Sequence, residues 1–386
     1  MAVGWDEAAD VAAWRGLPPL PGDVAADACV VGLGGSGLAA VEALLDRGLT
    51  VVGVDAGRVA AGAAGRNGGI LCGGPDAYLH SAIAEWGEDA AVDLYRATLR
   101  ELDHLASLVP DVVKRVGSIR LAGLPGDPET SDEAADHARE LLDCDEHEAA
   151  LRKHGIAVER YDGSLGRGLF LPDDAVMNPA RRAIGLAELL SRRASLHEHS
   201  RVHDVRSEQV TTEHGTVTAR VVIVAVDGRL DVLLPQLANR VRTARLQMVA
   251  TAPVTPGRLH CPVYGRWGYD YAQQGADGRL SVGGGRDRFE ADEWTNDTEP
   301  SEPVQHYIEH IAARFAGGPV QVTHRWAASV GFTVGAQGRA LCTAVDDGVV
   351  AIGGYNGTGN LVGPVAARAA VRLALDGTPP PSCFAS

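Results

Sequence analysis

The feature that most constrains this chain is a stretch near its N-terminus, residues 28–55. The apolar run Ala28–Val31 is typical of a buried parallel strand. Glycines in the spacing G-x-G-x-x-G follow it, and a helical pattern of leucine and valine then ends at Gly48. A second apolar run, Thr50–Val54, leads to Asp55. The stretch therefore predicts a strand, a helix and a second strand, with the glycines in the first turn.

The spaced glycines are Gly32, Gly34 and Gly37. Gly32 allows a tight turn, Gly34 lets the backbone approach a pyrophosphate, and Gly37 lets the helix pack closely on the strand. Asp55 stands about 20 residues further on, at a strand end where its carboxylate accepts hydrogen bonds from a ribose diol. The pattern predicts a dinucleotide with a free ribose, without deciding between NAD and FAD.

Length, charge and cysteine content exclude several classes of function. A chain of 386 residues is long enough for two domains. The 50 acidic and 35 basic residues give a net charge of −15, which argues against nucleic acid and anionic membranes as partners. The six cysteines form no C-x-x-C pair, and neither a signal peptide nor a membrane-inserting run is apparent. We therefore expect a cytoplasmic α/β protein with reduced thiols.

The rest of the chain predicts helices and strands in alternation. Residues 1–23 suggest an extended arm packed on the surface. Helices are predicted at 75–109, 130–154, 179–193, 303–315 and 361–375. Strands are predicted at 118–121, 196–205, 217–219, 220–226, 246–252, 269–273, 279–282, 324–332 and 349–352.

Two further glycine-rich segments indicate ligand contacts. Gly65–Gly69 places glycines on both sides of an Arg-Asn pair, which lets the backbone lie close to a ligand. Gly353–Asn360 joins the last predicted strand to the last helix, whose N-terminus suits an anion or a carbonyl dipole. Two glycine-rich junctions at opposite ends of the chain suit the two ends of a flavin dinucleotide and favour FAD over NAD.

These segments resemble the FAD-dependent D-amino acid oxidase superfamily, in its glycine oxidase, sarcosine oxidase and gamma-glutamylputrescine oxidoreductase branch. The resemblance covers nearly the whole chain from residue 24 and includes the Gly278–Gly285 strand. It implies a Rossmann-type FAD-binding domain of the glutathione reductase kind, interleaved with a smaller substrate domain on a mixed or antiparallel sheet. The implied limits are 24–110, 178–230 and 340–378 for the FAD-binding domain, 111–177 and 231–339 for the substrate domain, and 1–23 for the arm.

The resemblance also implies which residues contact the cofactor and the substrate. The expected FAD-binding residues are Gly32, Gly34, Gly35, Ser36, Gly37, Asp55, Ala56, Arg66, Asn67, Gly68, Gly69, Val202, Ala225, Gly354, Gly357, Thr358, Gly359 and Asn360. The expected substrate-pocket residues are Tyr264, Tyr269, Tyr271, Arg286, Phe332 and Tyr355.

The implied reaction oxidises a C–N bond of a small amine or amino acid by hydride transfer to flavin N5, and the imine hydrolyses. Oxygen or another acceptor takes the electrons, and no metal is expected. Ala328 aligns with the cysteine through which sarcosine oxidases attach the flavin, which implies non-covalent FAD. Phe332 aligns with the carboxylate-binding arginine of glycine oxidase, which favours an amine over an α-amino acid. Neither Lys114 nor Lys153 lies where family oxidases carry an oxygen-activating lysine, which implies slow reaction with oxygen.

Three other functions share part of this pattern. An aromatic-type flavin monooxygenase shares the first motif, but its Gly-Asp near the last strand is absent here. A nicotinamide dehydrogenase also fits the first motif. A flavin-retaining protein without turnover is a third possibility, because Thr333–Ala340 departs from the family's Thr-Pro-Asp-Gly-x-Pro pattern.

Overall fold

A computed structural model describes residues 3–385, and three β-sheets organise it. The strands in chain order are β1 (Val24–Val31), β2 (Val51–Val54), β3 (Ile70–Leu71), β4 (Lys114–Arg115), β5 (Ser118–Leu121), β6 (Glu159–Gly163), β7 (Gly166–Leu171), β8 (Ala175–Val176), β9 (Ser195–His197), β10 (Val202–Arg206), β11 (Gln209–Thr212), β12 (Thr216–Val224), β13 (Val241–Thr251), β14 (Val263–Gly265), β15 (Asp270–Gln274), β16 (Leu280–Gly283), β17 (Val322–Thr333), β18 (Leu341–Asp346) and β19 (Val349–Gly353).

Eleven α-helices connect or cover these strands within residues 3–385. They are α1 (Ala9–Ala13), α2 (Gly35–Leu45), α3 (Ala63–Arg66), α4 (Leu79–Trp86), α5 (Glu88–Leu108), α6 (Ser131–Lys153), α7 (Pro179–Leu190), α8 (Leu230–Leu233), α9 (Glu290–Glu293), α10 (Glu302–Ala316) and α11 (Val362–Asp376). Short 3₁₀ turns occur at Gly4–Glu7, Asp227–Arg229, Pro235–Leu237 and Arg266–Gly268.

Sheet I contains the predicted strand–helix–strand unit. Its strands run in the order β10-β11-β12-β1-β2-β9, and β19 also pairs with β12 and β18 with β19. The central strand β1 lies parallel to both β2 and β12. The apolar runs of β1 and β2 are buried, as expected for parallel strands covered on both faces. Helices α2, α7 and α11 contribute to the hydrophobic core on one face of this sheet.

Sheet II is mostly antiparallel and has two chemically different sides. Its order is β17-β13-β16-β15-β14-β5-β7-β6, with β5 and β14 the parallel pair. On one side, Val249 and Val282 join a core with Phe315 of α10. The opposite side carries Tyr271 and Trp326 and meets the segment 66–69, so we name it the loop-facing side. Sheet III is small and has the order β3-β8-β4.

Several predicted elements were wrong in their extent. The helix predicted at 75–109 is two helices, because Gly87 adopts φ +88° between α4 and α5. The strand predicted at 196–205 is divided into β9 and β10 at His199, whose φ is +49°. The strands predicted at 217–219 and 220–226 are the single strand β12. The strands that were not predicted are β3, β4, β6, β7, β8, β11, β14 and β18.

The N-terminal arm is not simply extended. Residues 1 and 2 lie outside the described residues, and the rest contains the turn Gly4–Glu7 and helix α1. The indole Nε1 of Trp5 donates to the carbonyl of Asn67 at 3.0 Å, so the arm contacts the glycine-rich loop. Among residues 3–385, no helix is both long and apolar enough to cross a membrane. The domain limits stay a prediction.

Candidate functional site

A cavity of about 750 Å³ opens at the carboxyl ends of β1, β2 and β12. This is the edge at which parallel α/β sheets bind ligands. The cavity extends from the glycines after β1 to Ala328 on sheet II and to Asn360 before α11. The two glycine-rich junctions predicted from sequence therefore border one continuous space.

The first junction has little room for side chains. Gly32 adopts φ +94°, a region that residues with a β-carbon disfavour. A β-carbon at Gly37 would overlap the carbonyl group of Gly32, so a glycine at this position lets α2 lie against the end of β1. No side chain caps the first turn of α2, which begins at Gly35. Its amides are therefore available to an anion.

Asp55 stands at the end of β2, and its carboxylate holds the glycine-rich turn that follows β1. Its Oδ2 accepts from the amide of Leu33 at 2.8 Å, and its Oδ1 accepts from the amide of Gly57 at 2.8 Å. Burial raises the pKa of Asp55, and these two hydrogen bonds oppose that rise. A carboxylate offers about four acceptor sites, so it retains capacity for the hydroxyl groups of a ribose.

An amide pair joins the glycine-rich loop to the second junction. Nδ2 of Asn67 donates to Oδ1 of Asn360 at 3.2 Å, and Nδ2 of Asn360 donates back to Oδ1 of Asn67 at 3.0 Å. Asn360 also donates to the carbonyl of Ile70 at 3.1 Å. These bonds fix the distance between α3 and the start of α11 along one wall of the cavity.

Asp227 connects the second junction to sheet II, a link that sequence reasoning missed. Its φ is +47°, and its carboxylate accepts from the amides of Gly354 and Gly331, both at 2.9 Å. Burial raises the pKa of Asp227, while these backbone bonds favour the charged form. The residue therefore holds the turn before α11 against β17, beside the cavity.

Arg182 is the second residue that sequence reasoning missed. Asn178 caps α7 by accepting from the amide of Ala180 at 3.0 Å, which places Arg182 in the first turn of that helix. The Arg182 side chain is only 1% exposed, yet no carboxylate of residues 3–385 lies within ion-pair distance. Its Nη2 donates to the carbonyl of Asn360 at 3.3 Å, and its Nε has no partner.

The guanidinium of Arg182 lies against the N-terminus of α2. A β-carbon at Gly35 would stand 2.9 Å from its Cζ, so the glycine leaves the space that the guanidinium fills. Burial lowers the pKa of Arg182 to about 10, because the charge of Glu101, which is beyond ion-pair distance, offsets only part of the lost hydration. A cation buried without an anion is a costly arrangement. The arrangement suits a bound anion at this junction.

The cavity wall is electropositive although the chain is acidic. Among described residues, five arginines and two aspartates line the cavity, in a chain of net charge −15. The lining arginines are Arg58, Arg66, Arg182, Arg201 and Arg229, and the aspartates are Asp55 and Asp227. An excess of arginines suits the two negative charges of a dinucleotide pyrophosphate.

The structure brings most of the expected cofactor residues to this cavity. Those that line it are Gly32, Gly34, Gly35, Ser36, Asp55, Ala56, Arg66, Asn67, Val202, Ala225, Gly357, Gly359 and Asn360, together with Tyr355 from the expected substrate set. Those that do not line it are Gly37, Gly68, Gly69, Gly354 and Thr358. Gly37 and Gly354 act on the backbone geometry described above, and Thr358 donates to the carbonyl of Tyr355 at 2.8 Å.

The remaining expected substrate residues lie on or beside sheet II. The ring of Tyr271 covers Gly68, where a β-carbon would stand 2.8 Å from it. The guanidinium of Arg286 lies 4.4 Å from the ring centroid of Phe332 and 5.8 Å from that of Tyr269. Tyr355 is buried, and its hydroxyl has no partner among residues 3–385. Tyr355 thus lines the cavity and Tyr271 lies against the 66–69 loop, whereas Arg286, Phe332 and Tyr269 form a cluster outside the cavity lining.

A family model described as FAD dependent oxidoreductase matches residues 27–373. The chain belongs to this family. The resemblance inferred from the glycine-rich motifs is thereby confirmed, and FAD is the cofactor of the family. The uncapped α2 terminus, the glycine cradle and the unpaired Arg182 fit such a dinucleotide in the cavity.

Sequence comparison finds relatives at moderate identity. A probable oxidoreductase OrdL of Rhizobium meliloti is 27% identical over 93% of this chain and 85% of its own length. A gamma-glutamylputrescine oxidoreductase of Escherichia coli is 28% identical over 68% of this chain and 65% of its own length. Both names describe oxidoreductases, as expected from the motifs.

A solved structure supports the fold. Glycine oxidase from Geobacillus kaustophilus superimposes with a TM-score of 0.68, at 20% identity, over 91% of this chain and 94% of that chain. The α/β fold predicted for this chain is thus confirmed.

Proposed function

We propose that this enzyme oxidises a C–N bond of a small amine or amino acid, and that water hydrolyses the resulting imine. The observation that carries the proposal is the electropositive cavity that joins both glycine-rich junctions to the loop-facing side of sheet II. The relatives support it, since one is named a gamma-glutamylputrescine oxidoreductase and one solved neighbour is a glycine oxidase.

The cofactor contacts follow from the walls of the cavity. Asp55 would bind the ribose, while the α2 amides and Arg182 would bind the pyrophosphate. Gly357, Gly359 and the N-terminus of α11 would lie at the pyrimidine side of the flavin, where a helix terminus stabilises negative charge. When bound there, FAD supplies the hydride acceptor at its N5 atom.

The protein's own part in the reaction is to orient the substrate and exclude water. Trp326 donates to the carbonyl of Arg66 at 2.8 Å, and Gln273 donates to the carbonyl of Gly68. These bonds hold sheet II against the 66–69 loop and close this side of the site to solvent. A dry, fixed site favours hydride transfer because reacting groups are held in position.

Among the candidate substrates, we favour amines over simple α-amino acids. Phe332 is an apolar wall that leaves a substrate carboxylate without a partner at that position. Arg245 is engaged by Glu293 at 2.8 Å, and Arg266 by Asp270 at 2.7 Å, so neither is free to bind a carboxylate.

The α-amino acid alternative rests on Arg286. Its guanidinium stacks on Phe332 and has no carboxylate of residues 3–385 within ion-pair distance. The test compares each primary amine with the matching amino acid of either hand, by anaerobic reduction of the FAD-loaded enzyme. A higher ratio of the flavin-reduction rate constant to Kd for the amine supports the proposal. A higher ratio for the amino acid that is lost in Arg286→Met would establish the alternative.

We further propose that FAD is held without a covalent bond and that the reduced enzyme reacts slowly with oxygen. Ala328, which lines the cavity, has no nucleophilic atom, and no cysteine is among the residues that line it. Lys153 pairs with Glu88 away from the cavity, and Lys114 lies in β4 of sheet III. Acid precipitation should release all yellow colour, and stopped-flow mixing with air-saturated buffer should show slow reoxidation. Colour in the pellet or rapid reoxidation would contradict the respective claim.

A further inference from the structure

Three polar side chains form a row on the loop-facing side of sheet II. Arg120 of β5 pairs in register with Tyr264 of β14, which pairs in register with Tyr271 of β15. Paired residues of neighbouring strands point to the same face. The ring centroids of the two tyrosines are 5.9 Å apart, and Cζ of Arg120 lies 5.8 Å from that of Tyr264. The three side chains therefore form one continuous surface.

Arg120 is buried without a hydrogen-bonding partner. The residue is 7% exposed, its Nε is enclosed, and no nitrogen of its guanidinium donates to any described residue. Its contacts are ring faces: Tyr264, and Tyr78 at 5.5 Å from the centroid. Leaving a buried guanidinium unbonded is costly, and natural structures rarely retain such a group without use.

The nearest buried carboxylate does not account for Arg120. Asp174 is 1% exposed and accepts from Oγ of Ser118 at 2.6 Å and from the amide of Gly73 at 2.9 Å. It forms no ion pair with Arg120 within 4.0 Å. Asp174 thus balances the charge at longer range, while the hydrogen-bonding capacity of Arg120 remains unused.

The tyrosine hydroxyls beside Arg120 are also unbonded. The Tyr264 and Tyr271 hydroxyls have no hydrogen-bond partner among residues 3–385, and both residues retain part of their exposure. Tyr271 leans over Gly283, where a β-carbon would stand 2.5 Å from its hydroxyl oxygen. The row thus offers a guanidinium fork and two O–H donors, with no carboxylate between them.

One end of the row meets the cofactor loop. Tyr271 covers Gly68, next to Asn67 of the cavity wall, whereas Arg120 lies two strands away. Two spacings between neighbouring strands amount to ~10 Å. A substrate that reacts beside the 66–69 loop and places an anionic group at Arg120 would therefore have several bonds between these two groups.

We propose that Arg120, with Tyr264 and Tyr271 in register beside it, binds a carboxylate at the distal end of the amine substrate. The proposal rests on the function proposed above and narrows it to amines that carry an acid several bonds from the nitrogen. A guanidinium matches a carboxylate with two parallel hydrogen bonds, and the tyrosine rings provide an apolar floor for the intervening chain.

The experiment uses matched substrates on the FAD-loaded enzyme under anaerobic conditions. Butylamine is compared with 4-aminobutanoate, and hexylamine with 6-aminohexanoate, by the rate of flavin reduction against concentration. We expect the carboxylated member of a pair to have a Kd at least roughly tenfold lower, as a charge-assisted pair provides. Arg120→Met should abolish this preference and leave the Kd of the plain amine unchanged.

Controls separate a lost subsite from a lost fold. Arg167→Met removes an exposed arginine of the adjacent strand β7 and should keep the preference. Arg120→Lys keeps the charge beside Asp174 but not the fork, and should retain part of the preference if the melting temperature is unchanged. Tyr264→Phe removes only a hydroxyl group and should weaken the binding of the carboxylated substrate but not of the plain amine.

The outcomes distinguish this proposal from the proposed function. If no amine reduces the flavin, the function is wrong, and the subsite is tested with glutarate and hexanoate as ligands that perturb the flavin spectrum. Binding of these acids that is lost in Arg120→Met supports the subsite. The subsite proposal is overturned if a folded Arg120→Met shows the same preference, or the same acid binding, as the parent enzyme. It is also overturned if the parent enzyme shows neither the preference nor acid binding.

Discussion

The cavity at the ends of β1, β2 and β12 and the loop-facing side of sheet II present polar groups in different ways. The cavity relies on backbone amides, small residues and arginines at its wall. Sheet II presents the long side chains of Tyr264 and Tyr271, from the consecutive strands β14 and β15, and of Arg120, from the sequence-distant strand β5. The first arrangement suits a cofactor of constant shape, and the second suits a substrate that differs between related enzymes.

This difference predicts where substitutions act. Changes in the cavity wall should alter FAD affinity and, through it, every reaction of the enzyme. Changes in the sheet II row should alter the choice of substrate while FAD stays bound.

The largest effect is expected at Gly37. In Gly37→Ala the new methyl group would overlap the Gly32 carbonyl, so α2 must move away from β1 and the pyrophosphate site is lost. We expect the purified variant to contain no FAD. Gly318→Ala is the control, because a β-carbon there meets nothing within 4 Å. Normal FAD content in Gly37→Ala, measured by absorbance after gel filtration, would refute the assigned geometry.

A smaller, mainly electrostatic effect is expected at Arg182. Arg182→Met should raise the Kd of the apoenzyme for FAD by roughly 10- to 100-fold, since a charge-assisted bond contributes ~1.5–3 kcal/mol. Binding of ADP should weaken similarly and binding of adenosine should not, because only ADP carries the diphosphate. Arg181→Met is the matched control, as Arg181 pairs with Asp10 instead. Equal loss for ADP and adenosine would indicate a general packing defect.

The amide pair should give a moderate effect that appears first as lost stability. Asn360→Ala removes the two hydrogen bonds between the amides of Asn360 and Asn67 and should lower the free energy of unfolding by roughly 1–3 kcal/mol. We expect a lower melting temperature in both apoenzyme and FAD-loaded enzyme, with the preference among substrates retained. Asn239→Ala, at an exposed position, is the control. A changed substrate preference would break the separation between the two regions.

The smallest effect is expected in the pH dependence of stability, and it comes from a residue beside sheet II. Burial raises the pKa of Glu140 to about 7 from 4.5, although the amides of Gly123 and Trp267 donate to it. The folded protein thus binds this proton more tightly than the unfolded chain, so stability falls as pH rises between 4.5 and about 7. Glu140→Gln should flatten this part of the melting-temperature profile, whereas Glu146→Gln, at an exposed position, should not. An unchanged profile in Glu140→Gln would assign the pH dependence elsewhere.

The first junction of the cavity could be predicted from sequence because its parts are local. Gly32, Gly34, Gly37 and Asp55 lie within one strand–helix–strand unit, so their spacing alone places them together. The side of sheet II could not be predicted in this way. Arg120 and Tyr264 are 144 positions apart by their numbers and meet only through strand register. The tyrosines were identified as candidates, but Arg120 carried no local signal.

Arg182 was missed for a related reason. An arginine in the first turn of a helix is ordinary on a surface, and only tertiary packing reveals that this one is buried against Gly35. Gly35 is a further glycine beside the three spaced glycines of the motif. This further glycine was the feature of the sequence that could have indicated a side chain packed closely against the start of α2. Gly87, by contrast, was a visible glycine within the predicted helix 75–109, and its effect was underestimated.

The central claim is that the FAD held in the cavity is reduced by amines positioned against sheet II. The most direct measurement mixes the FAD-loaded enzyme anaerobically with a stoichiometric amine from a panel and follows flavin absorbance and carbonyl product in the same sample. We predict that one or more amines bleach the flavin and yield one carbonyl per FAD reduced. A flavin that every amine leaves yellow, or that only a reduced nicotinamide bleaches, would contradict the account.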